Sequence, residues 1–184
     1  AFSSLSPATR IRLFETTLSG TDEALLTGQV DIAITGRVPP GFLGTPLLTI
    51  TMVPVTATSH PLAQLTTVTE KDLKQQRQIV VRDSGTKREQ DVGWLGANQR
   101  WTVSSFATSI EAVKAGLGFA FLPRHCVEQL LTEGSLKILP LQMGTERSIP
   151  LQLVVANQSN AGPAVQAVAE KLIEKFQQEV KARR

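Results

Sequence analysis

Short apolar runs alternate along the chain with segments of helical spacing. Val30 to Ile34 is such a run, of the kind expected for a strand buried on both faces. Ile50 to Val55, Gln78 to Val81, Gly118 to Leu122 and Ile149 to Val155 read the same way. Arg10 to Glu15 sets Ile11 and Leu13 on one face with Phe14 opposite, the alternation of a strand. Strands alternating with helices predict an α/β fold with largely parallel strands.

The helices carry their own punctuation. Thr21 to Leu26 is a short helix closed by Gly28. Thr69 with Asp72, and Thr108 with Glu111, fit capping boxes; Gly116 follows the second as a stop. The first box precedes a short Glu70–Gln75 helix. Pro123 pre-sets the first turn of a helix through Leu131. From Pro163 to Val180, the residues Val165, Val168, Ala169, Leu172, Ile173, Phe176 and Val180 form one apolar stripe, which predicts a helix packed on a sheet.

Polar loops recur after the strands: Ser19-Gly20-Thr21, Thr35-Gly36-Arg37, Asp83-Ser84-Gly85-Thr86 and Ser104-Ser105-Phe106. Open α/β sheets bind ligands beyond the carboxyl ends of their strands, where helix N-termini leave N–H groups free. The four loops therefore predict one cleft lined from several directions.

Composition narrows the class. With 184 residues, 41% hydrophobic and 19% charged, the chain can build a core and is too weakly charged for disorder. The longest apolar stretch, Leu117 to Leu122, is far short of the ~20 residues that span a bilayer. Cys126 is the only cysteine, which rules out an internal disulfide and a cysteine-based zinc site. No secretory signal opens the sequence, so a cytoplasmic location is expected. The net charge of +3 and a pI near 9.3 raise the question of nucleic acid. Between Glu70 and Asp91, however, bases and acids are mixed, as on a solvated face.

Reactive constellations are scarce. His60 and His125 are the only histidines; His60 reads as a solvated turn residue and His125 as a neutral packing residue. Neither makes a convincing base, and no metal-ligand spacing exists. Asp83-Ser84-Gly85 resembles the signature of aspartic proteases, but that chemistry needs two facing carboxylates and a mostly β subunit. Asn157-Gln158-Ser159 is a formal glycosylation sequon without a secretory context. No cofactor, metal or catalytic role is expected.

Three segments carry a family resemblance: Leu25 to Ile34; Pro46-Leu47-Leu48 leading to His60-Pro61-Leu62-Ala63; and Ile110 to Pro123. In this order and spacing the chain resembles the effector-binding domain of LysR-type transcriptional regulators. The resemblance implies a type 2 periplasmic-binding-protein-like fold, two Rossmann-like lobes joined by two crossing strands. Lobe I would be about 1–52 plus 154–184, and lobe II about 53–153. It further implies a regulatory role, in which a small effector between the lobes shifts how a homodimer or tetramer presents DNA-binding domains. DNA would be met only through an upstream helix-turn-helix domain, to which nothing here corresponds. A transport-type solute-binding protein of the same fold is the alternative. An enzyme on a related fold would need a reactive cluster that the sequence lacks.

The effector site expected on this basis uses Thr17, Ser19, Gly20, Thr21, Thr35, Gly36 and Arg37 from lobe I, with Asp83, Ser84, Ser104 and Phe106 from lobe II. Backbone N–H groups and hydroxyls there could hold an anion, and Phe106 its apolar part. Arg37 and Arg82 could pair with a carboxylate or be solvated; Trp94 and Trp101 could line lobe II or pack. The N-terminal helix, ending near Ser6, and the Pro123–Leu131 helix are candidate subunit contacts. The family's usual first strand of lobe I has no counterpart in the sequence. Such a strand is typically central, so lobe I is expected not to keep its sheet intact alone.

Overall fold

The computed structural model of the chain describes residues 9–86, 93–142, 144 and 146–182. The expected helix ending near Ser6 lies outside them. In chain order the elements are α1 (Ser19–Leu26), β1 (Ile32–Thr35), β2 (Gly44–Ala57), α2 (Glu70–Lys74), β3 (Arg77–Val81), β4 (Gln99–Val103), α3 (Phe106–Lys114), β5 (Phe119–Pro123), α4 (Arg124–Thr132), β6 (Leu136–Ile138), β7 (Arg147–Val155) and α5 (Pro163–Ala182). They form two compact units, drawn from Ala1–Thr49, Ser84–Glu89 and Pro150–Arg184, and from Ile50–Asp83 and Gln90–Ile149. Strands β2 and β7 carry the chain from one unit to the other.

In the first unit the strand order is β1-β7-β2. β1 runs antiparallel to β7, with Ile32 opposite Val155 and Ile34 opposite Leu153. Leu25, Ala33 and Val154 form one small core, and Leu47, Leu153 and Ala169 another, onto which Leu172, Ile173 and Phe176 of α5 pack. The stripe expected on the last helix is thus the face that covers this sheet.

In the second unit β5 lies between β2 and β3, and β4 closes the order. β3 is parallel to both β4 and β5, whereas β2 runs antiparallel to β5 and to β6. Its cores are larger: Val53, Val55, Ile79, Val113, Ala120, Leu122, Val127 and Leu136 make one, and Leu62, Val68, Leu73, Phe119 and Leu139 the other. Gly118, at φ 155, meets the carbonyl of Arg77 so closely that a Cβ would stand 2.2 Å from it.

Several sequence expectations need correction. The strands are mixed, not largely parallel. Alternating helices and strands report crossovers, but β2 and β7 pass between units and run against the strands they meet. Arg10 to Glu15 forms no strand; its alternation is right, but a strand exists only with a partner, and none of the described residues pairs with it. β4 and β6 were not foreseen, because β4 is a mostly exposed edge strand and β6 has three residues.

The capping box on Thr69 is present in full: Asp72 N–H donates to Thr69 Oγ1 at 3.3 Å, and Thr69 N–H donates to Asp72 Oδ2 at 2.9 Å. The Thr69 hydroxyl, which donates to Asp72 Oδ2 at 2.6 Å, and then the Thr69 N–H hold the Asp72 carboxyl below its ordinary range. The box expected on Thr108 is not the cap of α3. Ser105, in the extended conformation that a cap requires, accepts from Thr108 N–H at 3.2 Å, while Glu111 pairs with Lys114.

Candidate functional site

Helix α1 begins without a side-chain cap, after Leu18 at φ 49. Its start is held by a segment more than sixty residues away. Thr17 N–H donates to Ser84 Oγ at 2.8 Å, and Ser84 N–H donates to the Thr17 carbonyl at 3.3 Å. Thr86 N–H donates to both oxygens of the Glu23 carboxylate, at 2.9 and 3.0 Å. Two glycines make this seam possible. A Cβ on Gly20 would lie 2.0 Å from Ser84 Oγ, and one on Gly85 would lie 2.0 Å from Ser19 Oγ. The Thr16 and Thr21 hydroxyls share a hydrogen bond of 2.8 Å behind it.

The turn after β1 is tied to the same helix. Thr35 Oγ1 accepts from Arg37 N–H at 3.2 Å and donates to the Arg37 carbonyl at 2.9 Å, closing a turn around Gly36. The Arg37 guanidinium forms an ion pair with Asp22 of α1. It is therefore neither purely solvated nor unpaired. As an exposed pair it adds no more than about 1 kcal/mol to stability, but it orients the guanidinium.

In the second unit, Arg82 N–H donates to the Val103 carbonyl at 2.9 Å, one rung past the β3–β4 ladder. Asp83 and Ser104 thus follow the carboxyl ends of two adjacent parallel strands. Asp83 is buried and Ser104 exposed, while Phe106 is half-buried and opens α3 behind its Ser105 cap. Thr17, Ser19, Gly20, Thr21 and Ser84 are gathered at one seam, and Thr35, Gly36 and Arg37 join through Asp22. Asp83, Ser104 and Phe106 form a separate group. Ser84, expected with the second group, makes its bonds in the first unit. Hydroxyls and helix N-termini of this kind favour negative charge.

Glu23 and Asp22 were missed by sequence reasoning, and Thr86, read as part of a cleft-lining loop, was not named among the site residues. A bond such as Glu23 to Thr86, across 63 positions, leaves no local signal. His60 is also corrected. It is 7% exposed, and its Nδ1 accepts from Leu62 N–H at 3.2 Å, capping a short 3-10 turn, so it is no solvated residue. Burial holds its imidazole below the ordinary range. His125 is exposed on α4, not packed. Trp94 and Trp101 are both partly exposed and carry Arg100 and Arg77 over their rings, at 5.3 and 4.6 Å. Among the described residues no group of three or more His, Cys, Asp or Glu could hold a metal ion. None of the described helices is long and apolar enough to cross a membrane.

The family profile described as the LysR substrate binding domain matches residues 1–177. The chain belongs to that family. The regulatory domain of MetR, a LysR family regulator from N. meningitidis, superposes with a TM-score of 0.69 at 19% identity, over 94% of this chain and 82% of that one. The CcmR regulatory domain of Synechocystis PCC6803, in complex with 2-PG, gives 0.73 at 16% identity, over 95% and 87%. The effector-binding domain of QuiR in complex with shikimate gives 0.67 at 16%, over 96% and 87%. No curated protein sequence matches the chain. At these identities the solved structures establish the fold of this LysR domain, the type 2 periplasmic-binding-protein-like architecture, and not its ligand.

Proposed function

We propose that this LysR domain is a non-catalytic sensor of two lobes, about 1–52 plus 154–184 and about 53–153, with Ser84–Glu89 of the second stretch folded into the first unit. A small anionic effector binds in the cleft between the lobes. Thr17, Ser19, Gly20, Thr21, Thr35, Gly36, Arg37 and Ser84 contribute from one side, and Asp83, Ser104 and Phe106 from the other. The observation that carries this reading is the gathering of hydroxyls and helix N-termini at the start of α1 and beyond the carboxyl ends of β3 and β4. The ligands of two relatives, 2-PG and shikimate, give the reading its chemical class.

Binding biases the lobe arrangement, and a homodimer or tetramer passes that bias to DNA-binding domains elsewhere in the regulator. Arg124, His125, Cys126, Glu128 and Gln129 on the exposed side of α4 supply one subunit contact. Such a regulator works in the cytoplasm.

The test is a thermal-shift and calorimetric screen of small carboxylates and phosphates, 2-PG and shikimate included. A saturable rise in Tm, lost in Ser104→Ala and Thr35→Val, is the expected result. No response to any anion, or one unchanged in both variants, overturns the site. Sedimentation at tens of micromolar protein, a scale set roughly by weak pairing, is expected to give a dimer or larger. A monomer overturns the assembly.

A further inference from the structure

The seam at the start of α1 has two halves of different character. In the inner half, Ser84 is half-buried and Gly85 buried. Ser84 Oγ accepts from Thr17 N–H at 2.8 Å and donates to the Thr17 carbonyl at 3.1 Å, to which Ser84 N–H also donates. The backbones meet so closely that a Cβ on Gly20 or Gly85 would overlap a serine hydroxyl, so this half is closed. In the outer half, Thr86 is exposed and Glu23 half-buried. Thr86 N–H donates to both Glu23 carboxylate oxygens, and Thr86 Oγ1 donates to Oε2 at 3.0 Å.

The chemistry of the outer half is that of a bound anion, except that the carboxylate belongs to the protein. Bonds to an ionised acceptor are stronger than neutral ones, so water competes poorly for these donors. Another carboxylate competes well, because exchanging it for Glu23 leaves the number and kind of bonds unchanged. The exposure of Thr86 puts its donors within reach of a solute, and the half-buried Glu23 side chain can turn to water when displaced. The inner half, neutral and closed, offers no such exchange.

Position gives the exchange a consequence. Between Asp83 and Ser84 the chain passes from the second unit into the first, just after the end of β3. Glu23 therefore fastens to α1 the stretch by which the chain leaves β3.

We infer that Glu23 is the internal occupant of a carboxylate subsite whose donors are the N–H and hydroxyl of Thr86. A carboxylate effector competes with Glu23 there and unfastens from α1 the stretch that follows β3. The inference rests on the reading that an anion binds at the start of α1; it names the anion's chemical class and the residue that receives it.

The probe is sodium acetate, added to the full 184-residue protein, with sodium chloride at equal ionic strength as the control. The Thr86 amide is followed by NMR for its shift and its hydrogen exchange, while the amides of β3 and β5 report an intact fold. Glu23→Ala is expected to speed exchange at Thr86 by about tenfold or more, as a local opening. Acetate is expected to restore the slow rate saturably, and chloride is not. In the wild type acetate should act only at higher concentration, because apparent affinity falls with the fraction of donors left open. Glu23→Gln keeps the length of the side chain and should also take acetate more tightly than the wild type, its amide being the weaker competitor. A Thr86 amide equally slow in both variants, or equal acetate affinity in all three proteins, overturns the internal competition. Restoration by chloride to the same extent overturns the preference for a carboxylate. The effector reading is judged separately, by the Tm response that Ser104→Ala and Thr35→Val abolish. Acetate exchange at Thr86 without that response keeps the subsite and removes the effector; that response with Thr86 unmoved does the reverse.

Discussion

The two units solve the same packing problem to different degrees. In the second, β5 and β3 each have a strand on both sides, and two apolar clusters of eight and five buried residues fill the space between sheet and helices. In the first, among the described residues, β1 pairs with β7 alone, and the two clusters hold three buried residues each. The difference is in pairing, not composition. Ile11, Leu13 and Phe14 are as apolar as Val53, Val55 and Leu122, yet the former are exposed and the latter wholly buried. Hydrophobic side chains are removed from water only where the backbone beside them finds partners, because a strand cannot enter a core with its N–H and C=O groups unbonded.

The largest test of that contrast compares two phenylalanines. Phe119→Ala, at a site with no exposure, is expected to cost about 3–5 kcal/mol by urea denaturation. Phe14→Ala, at an exposed site, is expected to change stability by no more than about 0.5 kcal/mol. Similar losses at both sites would mean that residues 9–16 are packed in solution.

Next in size is the seam itself. Gly20→Ala puts a Cβ 2.8 Å from the Ser84 carbonyl carbon, so backbone and not a flexible side chain must give way. A loss of about 1–3 kcal/mol is expected. The Thr86 amide should exchange faster, while those of β3 and β5 stay as slow as before. Loss of protection in the second unit as well would show the two units to be one cooperative body.

A smaller effect is expected at the cap of α2. Thr69→Ala removes a full capping box and should lower stability by about 0.5–2 kcal/mol. Thr69→Ser should restore most of it, since the hydroxyl is what accepts the Asp72 N–H.

The smallest effect is a pH dependence confined to the second unit. The His60 imidazole is depressed below 6.5 by burial, so the folded state favours its neutral form. The unfolded chain binds the extra proton first. Stability is therefore complete above pH 6.5 and declines as pH falls below it toward the folded value, where the loss levels off. Urea midpoints of the wild type and His60→Asn between pH 7.5 and 5.5 measure this. The variant, which can still cap the turn with its side-chain oxygen, should have the flatter profile. Equal slopes would assign the acid sensitivity to other groups.

Most of the local punctuation was legible from the residues. Gly28 and Gly116 end their helices at φ 67 and 73, Thr69 caps α2, Pro123 leads into α4, and the stripe on α5 packs as its spacing requires. Such features act over a few positions, so their signal is local. The order of three loosely spaced segments was enough to point to the LysR family. The hydroxyls and glycines of the proposed site were named from the sequence, but Ser19-Gly20-Thr21 follows no strand among the described residues.

What those groups bond was settled only by the tertiary structure. Ser84 finds Thr17, and Thr86 finds Glu23, across more than sixty residues; Arg37 takes Asp22, which the pattern gave no reason to single out. The same holds for strand direction, for the exposed course of residues 9–16 and for the burial of His60. Periodicity states which side of an element seeks cover. It does not state which distant segment provides it, because an apolar face gains the same free energy against any cover that excludes water.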